Sequence, residues 1–283
     1  MLYRTVVVPL DGSALAERAL APAVTLARTE GSAVTILAVA ATEVDALGIR
    51  HYLLEAARGV GRDDRDVRVV VAPNPALEIV EVARSYPDAL VCMGSHGRSG
   101  VGAALLGSVA EGVLRAGGPV LVVGPHCRAG EMRLERLVAC LDGSGMSEAI
   151  LPLAASWCRA FDMKLQLAHV IEPGAAVMLS AKQGELDGGG ADVVEDNYLR
   201  AVATDIRHQG VVPDWEVLHG DDPAAAIVDH ATAVEASILA LTTHGRTGLA
   251  RLAIGSTGAK VVRDSPCPVL LRRPAEVVQR VAT

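Results

Sequence analysis

Short runs of consecutive apolar residues alternate along the chain with stretches whose apolar residues recur every three or four positions. Thr5–Pro9 is apolar throughout and predicts a strand, whereas Ala14–Glu30 carries the spacing of an amphipathic helix. Ala33–Ala40 predicts a second strand, Val44–Gly59 a helical stretch, and Val67–Ala72 a third strand. Asn74 then stands before Pro75, a cap followed by a first helical residue that needs no amide proton. Ala89–Met93, Ser108–Arg115 and Val120–Val123 predict a strand, a helix and a strand in turn. Strands that are apolar on both faces, separated by helices, imply a parallel sheet covered on both sides.

The pattern then starts again. TVVVPLDGSALAERAL, from Thr5, is answered by RLVACLDGSGMSEAIL, from Arg136, and NPALEIVEVA at Asn74 by DPAAAIVDHA at Asp222. GSHGRSGVGAALLGS at Gly94 is answered by TTHGRTGLARLAIGS at Thr242, and GGPVLVV at Gly117 by PCPVLLR at Pro266. Strands of the second copy are expected near Leu137–Leu141, Leu165–Val170, Asp214–Leu218, Ser237–Leu241 and Val269–Arg272. Asp142 follows Asp11 by 131 positions and Gly245 follows Gly97 by 148, so the second copy carries 17 extra residues. They fall between Glu172 and Asn197, where Gly184 and Gly188–Gly190 predict a loop. With Gly124–Arg133 as a polar linker, residues 1–125 and 133–275 form two copies of one domain.

Composition narrows the ligands such a fold could hold. Hydrophobic residues make up 51% and charged residues 21%, the balance of a folded globular chain. A formal net charge of −7 gives no general attraction to nucleic acid or anionic lipid, so an anion needs a local device such as backbone amides. One Phe, two Trp and four Tyr leave little for base stacking. No apolar run is long enough to span a membrane. The opening MLYRTVVVPL enters a strand pattern at once, without a signal peptide's apolar core, so a cytoplasmic location is the expectation. Five cysteines form no CxxC pair and are expected in the core, Cys127 in HCRAGE being the one candidate for an exposed thiol.

Two loops per copy carry candidate chemistry, and open parallel sheets bind ligands beyond the carboxyl ends of their strands. Asp11-Gly12-Ser13 follows the first strand. Its Asp can accept hydrogen bonds from a base or a ribose, or the triplet can serve only as a turn and helix cap. The second loop has Gly94, Gly97, Gly107 and Ser108. Glycines there clear the way for backbone amides, and a helix opening at Ser108 adds free N–H groups for a phosphate. The Ser108 hydroxyl either bonds phosphate or caps the helix. His96 and His244 each stand without a second ligand at metal spacing, which favours loop positioning, while Arg98 and Arg246 either neutralise phosphate or face solvent. His169 and His219 read as structural.

With these residues the chain resembles a tandem member of the universal stress protein family, whose ATP-binding signature is G-x2-G-x9-G-(S/T). Gly94, Gly97, Gly107 and Ser108 fit it without a gap. The resemblance implies two doubly wound α/β domains, each a five-stranded parallel sheet in the order 3-2-1-4-5 with helices on both faces. It places Asp11 and the Val39 backbone at the adenine end, Gly94 past the ribose, and Gly97, Gly107, Ser108 and the Val109 amide at the phosphates. In the second copy Asp142, Val170, Gly245, Gly255, Ser256 and Thr257 match. There Thr242 replaces the first glycine, adding bulk and disfavouring a left-handed backbone, so the first copy is the better expected site. ATP is the implied cofactor, often accompanied in the family by a divalent metal such as Mg²⁺.

The leading expectation is an ATP-binding stress-response regulator with little or no hydrolysis, not an enzyme, since no Walker motif supplies a phosphate lysine. The alternative is an interaction module that has given up nucleotide and uses the tandem scaffold to bind a protein. An adenylate-forming enzyme ranks below both, because DGS is not its glycine-rich loop. The family also pairs through the fifth strand, so Val120–Val123 and Val269–Arg272 are expected side by side. A homo-oligomer and unidentified protein partners complete the expectation, with neither nucleic acid nor membrane among them.

Overall fold

The computed structural model describes residues 1–97, 106–116, 118–128, 130, 132–171, 191–243 and 254–274. In the first half, β1 (Thr5–Pro9) leads to α1 (Ala14–Glu17) and α2 (Leu20–Glu30), then β2 (Ala33–Ala40) and α3 (Glu43–Gly59). β3 (Val67–Val71), α4 (Pro75–Arg84), β4 (Ala89–Gly94), α5 (Ser108–Arg115) and β5 (Val120–Val123) follow. The second half repeats the order with β6 (Arg136–Leu141), α6 (Gly145–Glu148), α7 (Leu151–Phe161), β7 (Lys164–Ile171) and α8 (Ala191–Arg207). β8 (Asp214–His219), α9 (Pro223–Ala233), β9 (Ile238–Thr242), α10 (Ser256–Asp264) and β10 (Val269–Arg272) close it.

Each half is a parallel sheet in the expected order, and the two join into one ten-stranded sheet, β3-β2-β1-β4-β5-β10-β9-β6-β7-β8. The join is antiparallel, with Val122 opposite Val269 and Val120 opposite Leu271. It removes two strand edges that would otherwise invite association. One core, with Leu26, Ile36, Leu53, Leu121 and Trp157, fills one face of the sheet across both halves. A second, with Leu37, Ile79, Leu114, Val122 and Leu239, fills the other. Trp157 is fully buried, and its indole Nε1 donates to the Tyr3 hydroxyl of the other half at 3.0 Å.

Local chemistry explains most element ends. Ser13 Oγ accepts from the Ala16 amide, Thr42 Oγ1 from Asp45 and Asn74 Oδ1 from Leu77, capping α1, α3 and α4. Gly31, at φ 73°, ends α2 in the left-handed conformation, and Asp162, at φ 53°, does the same for α7. The single helix expected over Ala14–Glu30 is divided in two at Arg18–Ala19. Pro22 has no amide proton for the Arg18 carbonyl, and its ring crowds that carbonyl. Pro152 and Glu148 repeat the break between α6 and α7.

Candidate functional site

At the end of β1 the chain turns through Gly12, at φ 86°, and Ser13 donates its amide to Asp11 Oδ1 at 3.0 Å. The plain reading of DGS as turn and cap therefore holds. It uses only one carboxylate oxygen for the turn. The other, Oδ2, points across the crevice at Gly97, where a Cβ would stand 2.1 Å from it. The DGS and glycine loops thus face each other, as the switch point between β1 and β4 requires.

The other motif glycines are also packed tightly. A Cβ on Gly94 would lie 3.0 Å from the Leu15 carbonyl oxygen and 3.1 Å from Ala16 Cα. One on Gly107 would lie 3.1 Å from the Ser95 carbonyl oxygen, to which the Gly107 amide donates at 2.8 Å. Gly107 is the N-cap of α5, with no side-chain cap, and Ser108 is the first helical residue. Ser108 therefore does not cap the helix, and the first amides of α5 have no side-chain acceptor from that cap.

A cavity of about 270 Å³ opens between these loops. Asp11, Val39, Gly94, Gly97, Gly107, Ser108 and Val109, the seven residues expected in the first copy, all line it. Leu10, Pro75, Ile79 and Met93 supply apolar walls that the glycine signature does not contain. Leu10 and Met93 stand near strand ends, Pro75 opens α4 and Ile79 follows its first turn. Buried His96 also reaches the cavity, its Nδ1 3.1 Å from Ser95 Oγ. Apolar walls together with the N-terminus of α5 suit a flat ring carrying phosphate.

The second crevice is built from the same parts with different fillings. Gly143 turns at φ 79°, and Asp142 Oδ1 accepts from both the amide and the hydroxyl of Ser144, at 3.0 and 2.6 Å. Gly255 caps α10 and donates to the Thr243 carbonyl at 2.8 Å, setting Ser256 and Thr257 in the first turn. Val170 lies in β7, matching Val39 in β2. Gly245 lies outside the described residues, as do His244, Arg98 and Arg246.

The effect of Thr242 is steric and not one of backbone handedness. Gly94 is not among the residues with positive φ, so a left-handed backbone is not what Thr242 forfeits. What excludes a side chain at Gly94 is the backbone of α1 within 3.2 Å. The second domain carries a change on both sides of that contact, Thr242 for Gly94 and Ser147 for Ala16. Ser147 Oγ donates to the Ser144 carbonyl and accepts from the Asp142 amide.

Some arrangements were not expected. His169 is buried, with Nδ1 3.0 Å from the Leu141 carbonyl and Nε2 3.2 Å from Glu195 Oε2. Its reading as structural thus gains a specific partner, absent from the first domain, where Ala38 stands in its place. The Tyr52 hydroxyl donates to Glu17, and Tyr198 donates to Glu148 in the same way. Matching those pairs puts 15 of the 17 extra residues before Tyr198 and two after it, rather than all before Asn197. Residues 172–190 lie outside the described set. Cys127 is not exposed: it is buried with the other four cysteines. The Arg18 guanidinium folds over it, donating to the carbonyls of Pro125 and Cys127, and burial pushes the Cys127 thiol up to about 12.

A family model described as the Universal stress protein family matches residues 2–124 and 133–273. A universal stress protein of Methanocaldococcus jannaschii is 30% identical over 145 residues, covering 51% of this chain and 85% of its own. One of Mycolicibacterium smegmatis is 28% identical over 204 residues, covering 68% of this chain and 66% of its own. A solved universal stress protein from Archaeoglobus fulgidus shares the fold with a TM-score of 0.64 at 20% identity, covering 96% of this chain and 99% of that one.

Proposed function

The chain belongs to the universal stress protein family as a tandem member, and we propose that it binds an adenine nucleotide, ATP foremost, in its first-domain crevice. In this reading the protein is a nucleotide-dependent regulator in the stress response, acting in the cytoplasm with little or no hydrolysis. The observation that carries it is the convergence of Asp11, Gly97 and the Gly107–Val109 helix start on one cavity with apolar walls.

The lining offers a contact to each part of the ligand. Asp11 can accept from a base amino group or a ribose hydroxyl, the apolar walls contact the ring faces, and the amides of α5 receive phosphate oxygens. Among the described residues no group of three His, Cys, Asp or Glu side chains is placed to hold a metal. A divalent cation would therefore be held chiefly by the phosphates, with Asp11 the one carboxylate among the residues named as lining the cavity. Bound to the triphosphate, such an ion would offset its charge.

Little or no hydrolysis belongs to this reading because the sequence holds no Walker motif to supply a phosphate lysine. The second domain, with Thr242 and Ser147 at the contact described above, is the weaker site.

Denaturing the freshly purified protein and analysing the supernatant by mass spectrometry tests the reading. Adenine nucleotide at about one equivalent per chain, or binding of added ATP by calorimetry, supports it. Neither carry-over nor binding would favour the interaction module instead. Two equivalents would overturn the ranking of the two crevices.

A further inference from the structure

α5 touches the first crevice with one end and the second domain with the other. Its N-terminal Ser108 and Val109 line the cavity. The carbonyl of its last residue, Arg115, accepts a hydrogen bond from Arg273 Nη1 at 3.3 Å. Arg273 follows β10, so the second domain supplies this cap. It is only 3% exposed, its Nε has no hydrogen-bond partner, and no carboxylate pairs with it among the described residues. Arg115, whose positive charge works against that of Arg273, is itself engaged by Glu111 at 3.4 Å.

The equivalent end of α10 is closed differently. There the Arg263 carbonyl meets His126 Nδ1 at 2.8 Å, just past β5 of the first domain. His126 is largely exposed and stands 3.7 Å from Asp264. Both helices are thus closed by a basic side chain from beyond their own domain, but Arg273 is the one that is buried and permanently charged.

A buried guanidinium without a counter-ion is costly, and its placement on the axis of a helix aimed at an anion site gives that cost a use. An eight-residue helix is about 12 Å long. Its carbonyl end carries a partial negative charge that would weaken the pull of the amide end on phosphate. Arg273 cancels that pole and adds a positive charge behind it.

We propose that Arg273 is a positioning and affinity-determining residue for the phosphate end of the first-domain site, acting through α5. This rests on the nucleotide reading of that crevice. Its signature is a dependence on ligand charge: a merely structural cap would affect every ligand alike.

The test is calorimetric titration of the full chain, as wild type, R273K and R273Q, with adenosine, AMP and ATP. One charge removed at roughly 15 Å predicts about a three- to tenfold loss of ATP affinity in R273Q at low salt. AMP should lose less, adenosine should change by less than about twofold, and R273K should match the wild type on the same Coulomb argument. Should R273Q fail to fold, R273M keeps the stem of the side chain and allows the same comparison. Equal losses for adenosine and ATP, or an unchanged ATP affinity in a folded neutral variant, would overturn the role of Arg273 alone. A wild type that binds none of the three overturns the nucleotide reading and this inference together.

Discussion

Gly97→Ala is the most direct probe of the first crevice. The added Cβ would stand 2.1 Å from Asp11 Oδ2, so the carboxylate must retreat by about 1 Å to reach ordinary contact. Asp11 cannot swing freely, because Oδ1 holds the Ser13 amide at 3.0 Å and Ser13 in turn caps α1. The turn therefore loosens as the carboxylate moves. Weakening that hydrogen bond costs stability of about 1 kcal/mol, a fall in Tm of about 2–4 °C. The larger effect falls on binding. A displaced Asp11 leaves base or ribose donors unmatched, worth about 1.5–3 kcal/mol, or roughly 10- to 100-fold in Kd. Calorimetry with ATP on G97A, D11A and the double variant separates the causes. The double variant should be no less stable than D11A, because the clash is gone, and bind no better than D11A. If G97A binds ATP as tightly as the wild type, the placement of Asp11 in the ligand site is wrong.

Two further outcomes follow from the packing. At Gly124 an added Cβ would lie 1.9 Å from the Val262 carbonyl oxygen, a backbone atom that cannot step aside; G124A should lose about 1–3 kcal/mol in chemical denaturation, since overpacking is felt in full there. All five thiols are buried, with Cys127 pushed up to about 12 and Cys267 to about 11 by desolvation, so a thiol reagent at pH 8 should label none in the native chain and five after denaturation. Because the fold favours the protonated thiols, their contribution to stability is intact below about pH 9 and shrinks as pH climbs toward 12.

The sequence pattern located every strand to within a residue or so, because both cores need apolar residues on both faces of the sheet. Helix detail was less legible. The break before Pro22 is a local steric effect that periodicity alone passes over. Five of the seven first-domain cavity residues were readable because they sit in the DGS and glycine motifs, and Val39 and Val109 came with the family resemblance, whereas Ile79 and Met93 look like any other core residue until the strands are assembled. Cys127 was misplaced because a polar neighbourhood in sequence says nothing of the Arg18 side chain that covers it. His169–Glu195 and Arg273–Arg115 join residues 26 and 158 positions apart, a relation that no local window contains.

The antiparallel seam between β5 and β10 makes a two-headed molecule out of one polypeptide. Had the same seam joined two identical chains, every mutation would have been written into both crevices at once. Thr242 and Ser147 could then not have arisen opposite an unaltered Gly94 and Ala16. Covalent continuity frees one head to drift or specialise while the other keeps its original chemistry, and it fixes their ratio at one to one at any protein concentration.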